Sequence, residues 1–141
     1  MLKHQSVKEE SRTFPELTAN PLFGCRVAVE GHYPTRGDVF HIATWAEYAA
    51  LHESGVDFAL DLSHLNIVAS HSGVIETNLV REMLASEHCL EVHVSGNDGT
   101  RDQHARLTRE PWWLSLLGDV HPDAIVFCEA IRRPTDRRPR P

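Results

Sequence analysis

The chain has 141 residues, of which 41% are hydrophobic and 24% are charged, so it is an ordinary globular sequence long enough to bury one core. Its formal net charge of -6 disfavours non-specific binding to nucleic acid. Because no apolar run approaches the roughly 20 residues of a membrane span, and the N-terminus lacks the apolar core of a signal peptide, we expect a cytoplasmic protein with no membrane partner.

Strand and helix patterns alternate along residues 21–131, which we take as one domain. Residues 1–20 are polar and weakly patterned. Residues 132–141 are rich in Pro and Arg, which is typical of a disordered tail. The alternation predicts strands at 25–30, 58–62, 90–94 and 124–129, helices at 39–53 and 75–86, and a short buried helix within 112–117.

Cap and turn residues set the predicted boundaries. Asp38 can cap the first helix, and Gly55 can end it. Segments 63–73 and 95–110 are predicted as loops because they are polar and contain glycine. Gly118 would close the short helix.

The four predicted strands are short and apolar almost throughout, as expected where both faces of a parallel sheet are covered. A chain that alternates strands with helices makes right-handed crossovers. The sequence therefore predicts an α/β fold with a parallel sheet.

An acid or a histidine lies at or near the end of each predicted strand, namely Glu30, Asp61, His93 and Glu129. The steps between them are 31, 32 and 36 residues, about one βα unit each. In barrels and open α/β sheets alike, functional groups gather at this edge. Two glutamates, an aspartate and a histidine would hold Mn, Fe, Zn, Mg or Co there, with positions left for substrate.

The predicted loops supply further candidates, which could form a second metal site or bind substrate hydroxyls: His64, Asp98, Asp102 and His104. A single acid at a strand end is more commonly a helix cap or a solvated loop residue. A single histidine on a strand is more commonly a satisfied core residue. It is the repetition at the period of the fold unit that favours a metal site.

The three cysteines, Cys25, Cys89 and Cys128, are odd in number and have no CxxC spacing. We expect them to be reduced and mostly buried beside strands, with neither a disulfide framework nor a zinc knuckle. The ten histidines are a high count, which favours metal chemistry without defining a site.

Motifs at these positions resemble the C-terminal half of the xylose isomerase-like TIM-barrel superfamily. Its sugar isomerases and epimerases carry a glutamate on the fifth strand, Asp-x-x-His on the sixth, a histidine on the seventh and a glutamate on the eighth. The matching residues are Glu30, Asp61-Leu62-Ser63-His64, His93 and Glu129, with Asn97-Asp98-Gly99-Thr100-Arg101-Asp102-Gln103-His104 after the seventh strand. The likeness covers residues 25–131.

The resemblance implies a single divalent ion held by Glu30, Asp61, His93 and Glu129. It also implies that Glu30 and Glu129 are the acid/base pair that moves a proton, and that His64 contacts a small-molecule substrate. The implied function is metal-dependent isomerisation or epimerisation of a sugar-like hydroxycarbonyl.

The segment after the long loop departs from the isomerases. Where they have Gly-x-Gly, Arg109-Glu110-Pro111-Trp112-Trp113 stands, which is closer to the multinuclear non-haem iron oxidases, a related barrel family that modifies peptides. This likeness, in which His64 replaces an asparagine, implies that Asp102 and His104 also bind iron and that the substrate is a cysteine-containing peptide. Apurinic-site endonucleases share Asp-x-x-His and Asp-x-His, but the acidic charge disfavours them.

A full barrel takes about 250 residues, and this chain holds only the equivalent of strands five to eight. It is either a fragment, or a half-barrel that pairs with a copy of itself or with another chain, because exposed parallel edge strands would be a liability. An inactive or partner-dependent half-barrel is the third functional alternative.

Overall fold

The computed structural model describes residues 24–37 and 40–131. The segment 1–20, the cap assigned to Asp38 and the tail 132–141 lie outside the described residues. Within the described part, the elements in chain order are β1 (Val29–Glu30), α1 (Trp45–Glu53), β2 (Phe58–Asp61), α2 (Leu62–Ser72), α3 (Thr77–Ala85), β3 (Cys89–Val94), a 3-10 helix (Leu114–Asp119) and β4 (Ile125–Cys128). Among these, no helix has the length and apolar character needed to cross a membrane.

The strands form one sheet in the order β1-β2-β3-β4, and every neighbouring pair is parallel. This confirms the predicted α/β fold. Asp61 pairs with His93, and His93 pairs with Phe127. Because the strands all run in one direction, their carboxyl ends meet at one edge, where Glu30 ends β1 and Glu129 directly follows β4.

The core lies on one face of the two central strands. Leu60 and Val92 pair across β2 and β3, and both are fully buried. They join buried side chains from the helices: Tyr48, Leu51, Leu65, Val68, Val80, Met83, Leu84, Trp113 and Leu116. Since successive side chains of a strand point to opposite faces, Asp61 and His93 point away from this core.

Helix α1 begins later than predicted. It starts at Trp45 rather than at residue 39, and Thr44 is its N-cap. The Thr44 hydroxyl accepts a hydrogen bond from the Glu47 N–H (3.4 Å), and Glu47 Oε2 accepts from the Thr44 hydroxyl and the Ala43 N–H (2.9 Å each). This is a variant of the capping box, in which the glutamate accepts from the N–H of the residue before the N-cap rather than from that of the N-cap itself. The predicted end is confirmed, because the helix ends at Glu53 and Gly55, one residue beyond the C-cap, has a φ of 68°.

The predicted loop at 63–73 is wrong, because these residues form α2 immediately after β2. Asp61 ends the strand and also caps the helix, since its Oδ1 accepts from the N–H groups of Ser63 (2.7 Å) and His64 (3.4 Å). The helix ends at Gly73, whose φ is 72°. Its polar residues suggested a loop, yet seven of its eleven residues are buried.

Several other elements are shorter than predicted. The strands at 25–30 and 124–129 shrink to β1 and β4, and the short helix is a 3-10 helix that contains Gly118 rather than ending before it. The expectation of mostly buried cysteines is also wrong: Cys25 and Cys128 are exposed. Cys89 is buried, and burial raises its pKa to about 12.

Strand β4 is exposed along its whole length. Ile125 is 62% exposed, and Val126 and Phe127 are also open to solvent. Within the described residues, β4 pairs only with β3. A half-barrel, as predicted from the sequence, would have an exposed edge strand of this kind, and the strands of a second half would cover it.

Candidate metal centre

The four residues predicted at the strand ends lie close together at the carboxyl edge of the sheet. Nδ1 of His93 lies 3.7 Å from Glu30 Oε1 and 3.4 Å from Glu129 Oε1. Two groups of side chains place their ligand atoms within 4.8 Å of one another: Glu30, Asp61 and His64; and Asp61, His93 and Glu129. The two groups share Asp61, so the edge offers one continuous set of donors.

Asp61 is the most buried member of the set, with 1% of its surface exposed. Its Oδ1 is used as the cap of α2, whereas its Oδ2 is buried and has no hydrogen-bond partner among the described residues. An unpaired buried oxygen of this kind costs about 1–3 kcal/mol. A cation at Oδ2 would remove that cost, so this carboxylate fits a metal ligand.

His64 turns one defined nitrogen toward Asp61. Its Nδ1 lies 3.0 Å from the Gly31 carbonyl oxygen, which can only accept, so Nδ1 carries the proton. In the neutral ring, Nε2 then has a lone pair, and it faces Asp61 Oδ2 (3.3 Å) and Asp102 Oδ2 (3.4 Å). Three acceptors facing each other are stabilised by a shared cation, either a proton or a metal ion.

The backbone that supports His64 is fixed by Tyr48. The Tyr48 hydroxyl donates to the His32 carbonyl oxygen (2.7 Å). A Cβ atom on Gly31 would overlap the Tyr48 ring, so only glycine fits at this position. The His32 ring in turn packs on the His64 ring, with centroids 4.6 Å apart.

Asp102 and His104, the further iron ligands implied by the oxidase resemblance, lie next to this set of donors but belong to neither group. Asp102 Oδ2 lies 2.9 Å from His104 Nε2, and His104 Nδ1 lies 3.5 Å from Glu129 Oε2. His104 has a φ of 44°, and among the described residues it is the only non-glycine residue with a positive φ. Such a conformation costs of order 1–3 kcal/mol and is concentrated at functional sites.

Asp98, the other predicted loop candidate, does not join this set. It is exposed, and its carboxylate accepts from the Thr100 N–H (2.9 Å), the Thr100 hydroxyl and Gln103 Nε2 (3.0 Å). The hydrogen bonds from Thr100 lower the pKa of Asp98. Its role is to shape the turn of the loop.

A chain of amides, which the sequence did not reveal, anchors that loop to α2. Asn97 Nδ2 donates to the Ser63 carbonyl oxygen (2.7 Å), and Asn66 Nδ2 donates to Asn97 Oδ1 (2.8 Å). The indole N–H of Trp112 completes the chain by donating to Asn66 Oδ1 (3.1 Å). The loop that carries Asp102 is therefore tied to the helix that carries His64 and is capped by Asp61.

Glu91 is another residue near the site that the sequence did not reveal. It lies two positions before His93 on β3, and its Oε2 is 3.2 Å from His93 Nε2. The spacing is the signal that could have identified it, because residues i and i+2 of a strand share a face.

Burial raises the pKa of Glu30, whereas the neighbouring His64 and His93 act in the opposite direction.

Mixed carboxylate and imidazole donors suit Mn, Fe, Zn or Co better than Mg or Ca. The residues present thus fit a divalent transition-metal ion, and their number exceeds the four protein ligands of one typical site.

A groove of about 920 Å³ lies beside this cluster, between α2 and the loop at 95–113. Of the candidate site residues predicted from the sequence, only Asp98 lines it, and Ser95 on its wall is two residues from His93. Asn66 and Trp112 also line it. The groove therefore borders the candidate metal centre rather than enclosing it.

Comparisons with known proteins found no matching family model, no matching curated protein and no matching solved structure.

Proposed function

We propose that the chain is a divalent-metal-dependent enzyme that isomerises or epimerises a sugar-like hydroxycarbonyl by proton transfer. One observation carries the proposal: among the described residues, two buried atoms, Asp61 Oδ2 and His93 Nδ1, have no hydrogen-bond partner, and His93 Nδ1 lies 3.7 Å from the Glu30 carboxylate and 3.4 Å from that of Glu129. Buried polar atoms are nearly always paired, and an ion bound between these two atoms would satisfy both, which supports the proposal.

A divalent ion bound there would polarise the substrate carbonyl and favour removal of a proton from the adjacent carbon. Glu30 and Glu129 both lie near His93 on β3, but they come from the two outer strands of the sheet: Glu30 ends β1, and Glu129 follows β4. One carboxylate would take the proton from carbon, and the other would return a proton to the neighbouring carbon or to the opposite face of the same carbon. His64, held by the Gly31 carbonyl, would contact a substrate oxygen or the ion.

The test is elemental analysis of the purified full chain, together with a proton-exchange assay. Hydroxycarbonyl substrates in D₂O should gain deuterium at the carbon next to the carbonyl. Glu129→Gln should lose at least about 10²-fold of that exchange, the usual contribution of acid–base catalysis. Glu82→Gln, on the exposed side of α3, is the matched control and should be unchanged. The proposal is wrong if the chain holds no stoichiometric metal.

A multinuclear iron oxidase acting on a cysteine-containing peptide is the second candidate. The observation that favours it is the strained His104, which faces both Asp102 and Glu129. The groove beside the cluster has room for an extended peptide. Two or three irons per chain with visible absorption, and oxygen uptake that depends on a cysteine-containing peptide, would favour this candidate over the isomerase.

A partner-dependent half-barrel is the third candidate, and the exposure of β4 favours it. A second copy of the chain, or another chain with parallel strands, would cover Ile125 and pair the free edge. Light scattering on the purified chain tests this, because a monomer with full metal-dependent turnover would exclude it.

A further inference from the structure

We propose that Glu91 is a positioning residue that fixes the tautomer of His93, so that Nδ1 rather than Nε2 faces the metal. The inference rests on the proposed metal-dependent function and extends it beyond the residues that touch the ion. It assigns a role to an acid that lies outside both groups of candidate ligands.

The argument begins with the hydrogen bond between the two side chains. Glu91 Oε2 lies 3.2 Å from His93 Nε2. An ionised carboxylate can only accept a hydrogen bond, so the ring proton resides on Nε2. The lone pair of the neutral ring is therefore on Nδ1, the atom that lies near Glu30 and Glu129.

The second observation is that Nδ1 of His93 is buried and has no hydrogen-bond partner in the described part of the chain. The whole residue is only 7% exposed. A lone pair held in this direction, between two carboxylates and without a donor, suits a cation. Ring orientation is also restrained by Phe127, whose ring lies 4.3 Å from that of His93 between centroids.

His64 shows the opposite arrangement in the same site. Its Nδ1 proton is held by the Gly31 carbonyl, which leaves Nε2 for the ligand. The two histidines thus present different nitrogens, each determined by the acceptor behind it. The acceptor for His64 is backbone, whereas the acceptor for His93 is a side chain that can be replaced.

A carboxylate behind a metal-bound imidazole orients the ring and makes it a stronger donor, and its loss typically costs 10–100-fold in metal affinity. The Glu91 side chain is 45% exposed, so it can be changed with little effect on the core. Glu91→Gln keeps an acceptor oxygen, whereas Glu91→Ala removes it. The pair of variants separates the hydrogen bond from the bulk of the side chain.

The experiment uses full-length protein with ¹⁵N-labelled histidine and Zn²⁺ as the probe. Long-range ¹H–¹⁵N spectra of the metal-free protein, at a pH where the rings are neutral, should show His93 protonated on Nε2; His93→Gln assigns its signals. Glu91→Ala should shift this tautomer balance and weaken Zn²⁺ binding about 10–100-fold. Glu91→Gln should keep most of the wild-type tautomer balance and most of the Zn²⁺ affinity, and Glu82→Gln should resemble the wild type in both. Thermal unfolding of each metal-free variant verifies that it is folded.

Two results would overturn the inference: His93 protonated on Nδ1 in the wild type, or Glu91→Ala with unchanged tautomer and affinity. If the wild type binds no Zn²⁺, the proposed function fails instead. The tautomer of the metal-free protein would still decide the role of Glu91 in that case, so the two failures are distinguishable.

Discussion

Asp61 has two roles that substitution can separate, because one oxygen caps α2 and the other faces the candidate metal position. Asparagine is as good an N-cap as aspartate, whereas alanine has no acceptor. We therefore expect Asp61→Ala to lose both roles and Asp61→Asn to lose only the charge. In Asp61→Asn the new amide group could donate to His64 Nε2, which lies 3.3 Å from the present Oδ2.

The expected magnitudes follow from these contacts. Loss of an N-cap costs about 0.5–2 kcal/mol, which for a domain of this size lowers the melting temperature by roughly 2–7 °C. Metal-free Asp61→Ala should show this loss. Metal-free Asp61→Asn should be as stable as the wild type or more so, because it removes an unpaired buried charge. Both variants should lose stoichiometric metal.

Urea unfolding of the metal-free proteins and elemental analysis of the loaded proteins measure the two roles independently. If Asp61→Asn is destabilised as much as Asp61→Ala, the cap does not stabilise α2 as argued. If Asp61→Asn keeps a full equivalent of metal, Asp61 is not a ligand. Either outcome would refute one half of the reasoning without affecting the other.

Three further predictions concern residues around the site and at the opposite edge of the sheet. Arg26 donates two hydrogen bonds to Asp57, which lower the pKa of that carboxylate. The ion pair of Asp57 with Arg26 therefore stabilises the fold above about pH 4, which is the pKa of an aspartate in the unfolded chain. This stabilisation is lost as the pH falls through the lower pKa that Asp57 has in the folded protein. Because Arg26 is exposed, Asp57→Asn should remove under about 1 kcal/mol and flatten urea stability below pH 4, whereas an unchanged slope would contradict this. Gly31→Ala should cost about 1–3 kcal/mol from overlap with Tyr48, as measured by thermal unfolding, and a wild-type melting curve would show that the backbone yields. His104→Asn should leave metal-free stability equal or higher, because asparagine tolerates positive φ, but should reduce iron content if more than one ion binds; unchanged iron would exclude His104 as a ligand.

The convergence of the strand-end residues could be predicted from the sequence. It depends only on parallel strands that end at one edge, and the repeat of Glu30, Asp61, His93 and Glu129 marks each end. Their closeness therefore follows from topology, which periodicity reveals. Whether they bind a metal remains a proposal.

Helix α2 could not be predicted because its polar residues are buried for reasons outside the helix. The His64 ring bonds to the Gly31 carbonyl, 33 residues before it, and the Asn66 amide donates to Asn97, 31 residues beyond it. Local patterns of hydrophobicity carry no record of such distant partners. Asp102 was a candidate from the sequence, but the bond from Asn97 in its loop to the Ser63 carbonyl of α2 was not predictable for the same reason.

Glu91 was overlooked for a different reason. An acid between apolar strand residues usually indicates a face open to water, and Glu91 is in fact nearly half exposed. Only the distance to His93 distinguishes a solvated acid from one that accepts from an imidazole.

The direct passage from β2 into α2 has an electrostatic consequence. The N-terminal end of a helix carries roughly half a positive elementary charge, and here that end lies at Asp61, within the cluster of acids. The helix partly neutralises the carboxylates, so a cation experiences a weaker negative field than the number of acids suggests. The same positive field would favour an oxygen that gains negative charge in the transition state. Under the proposed function, the same helix end would weaken the attraction for a metal ion and stabilise an anionic transition state.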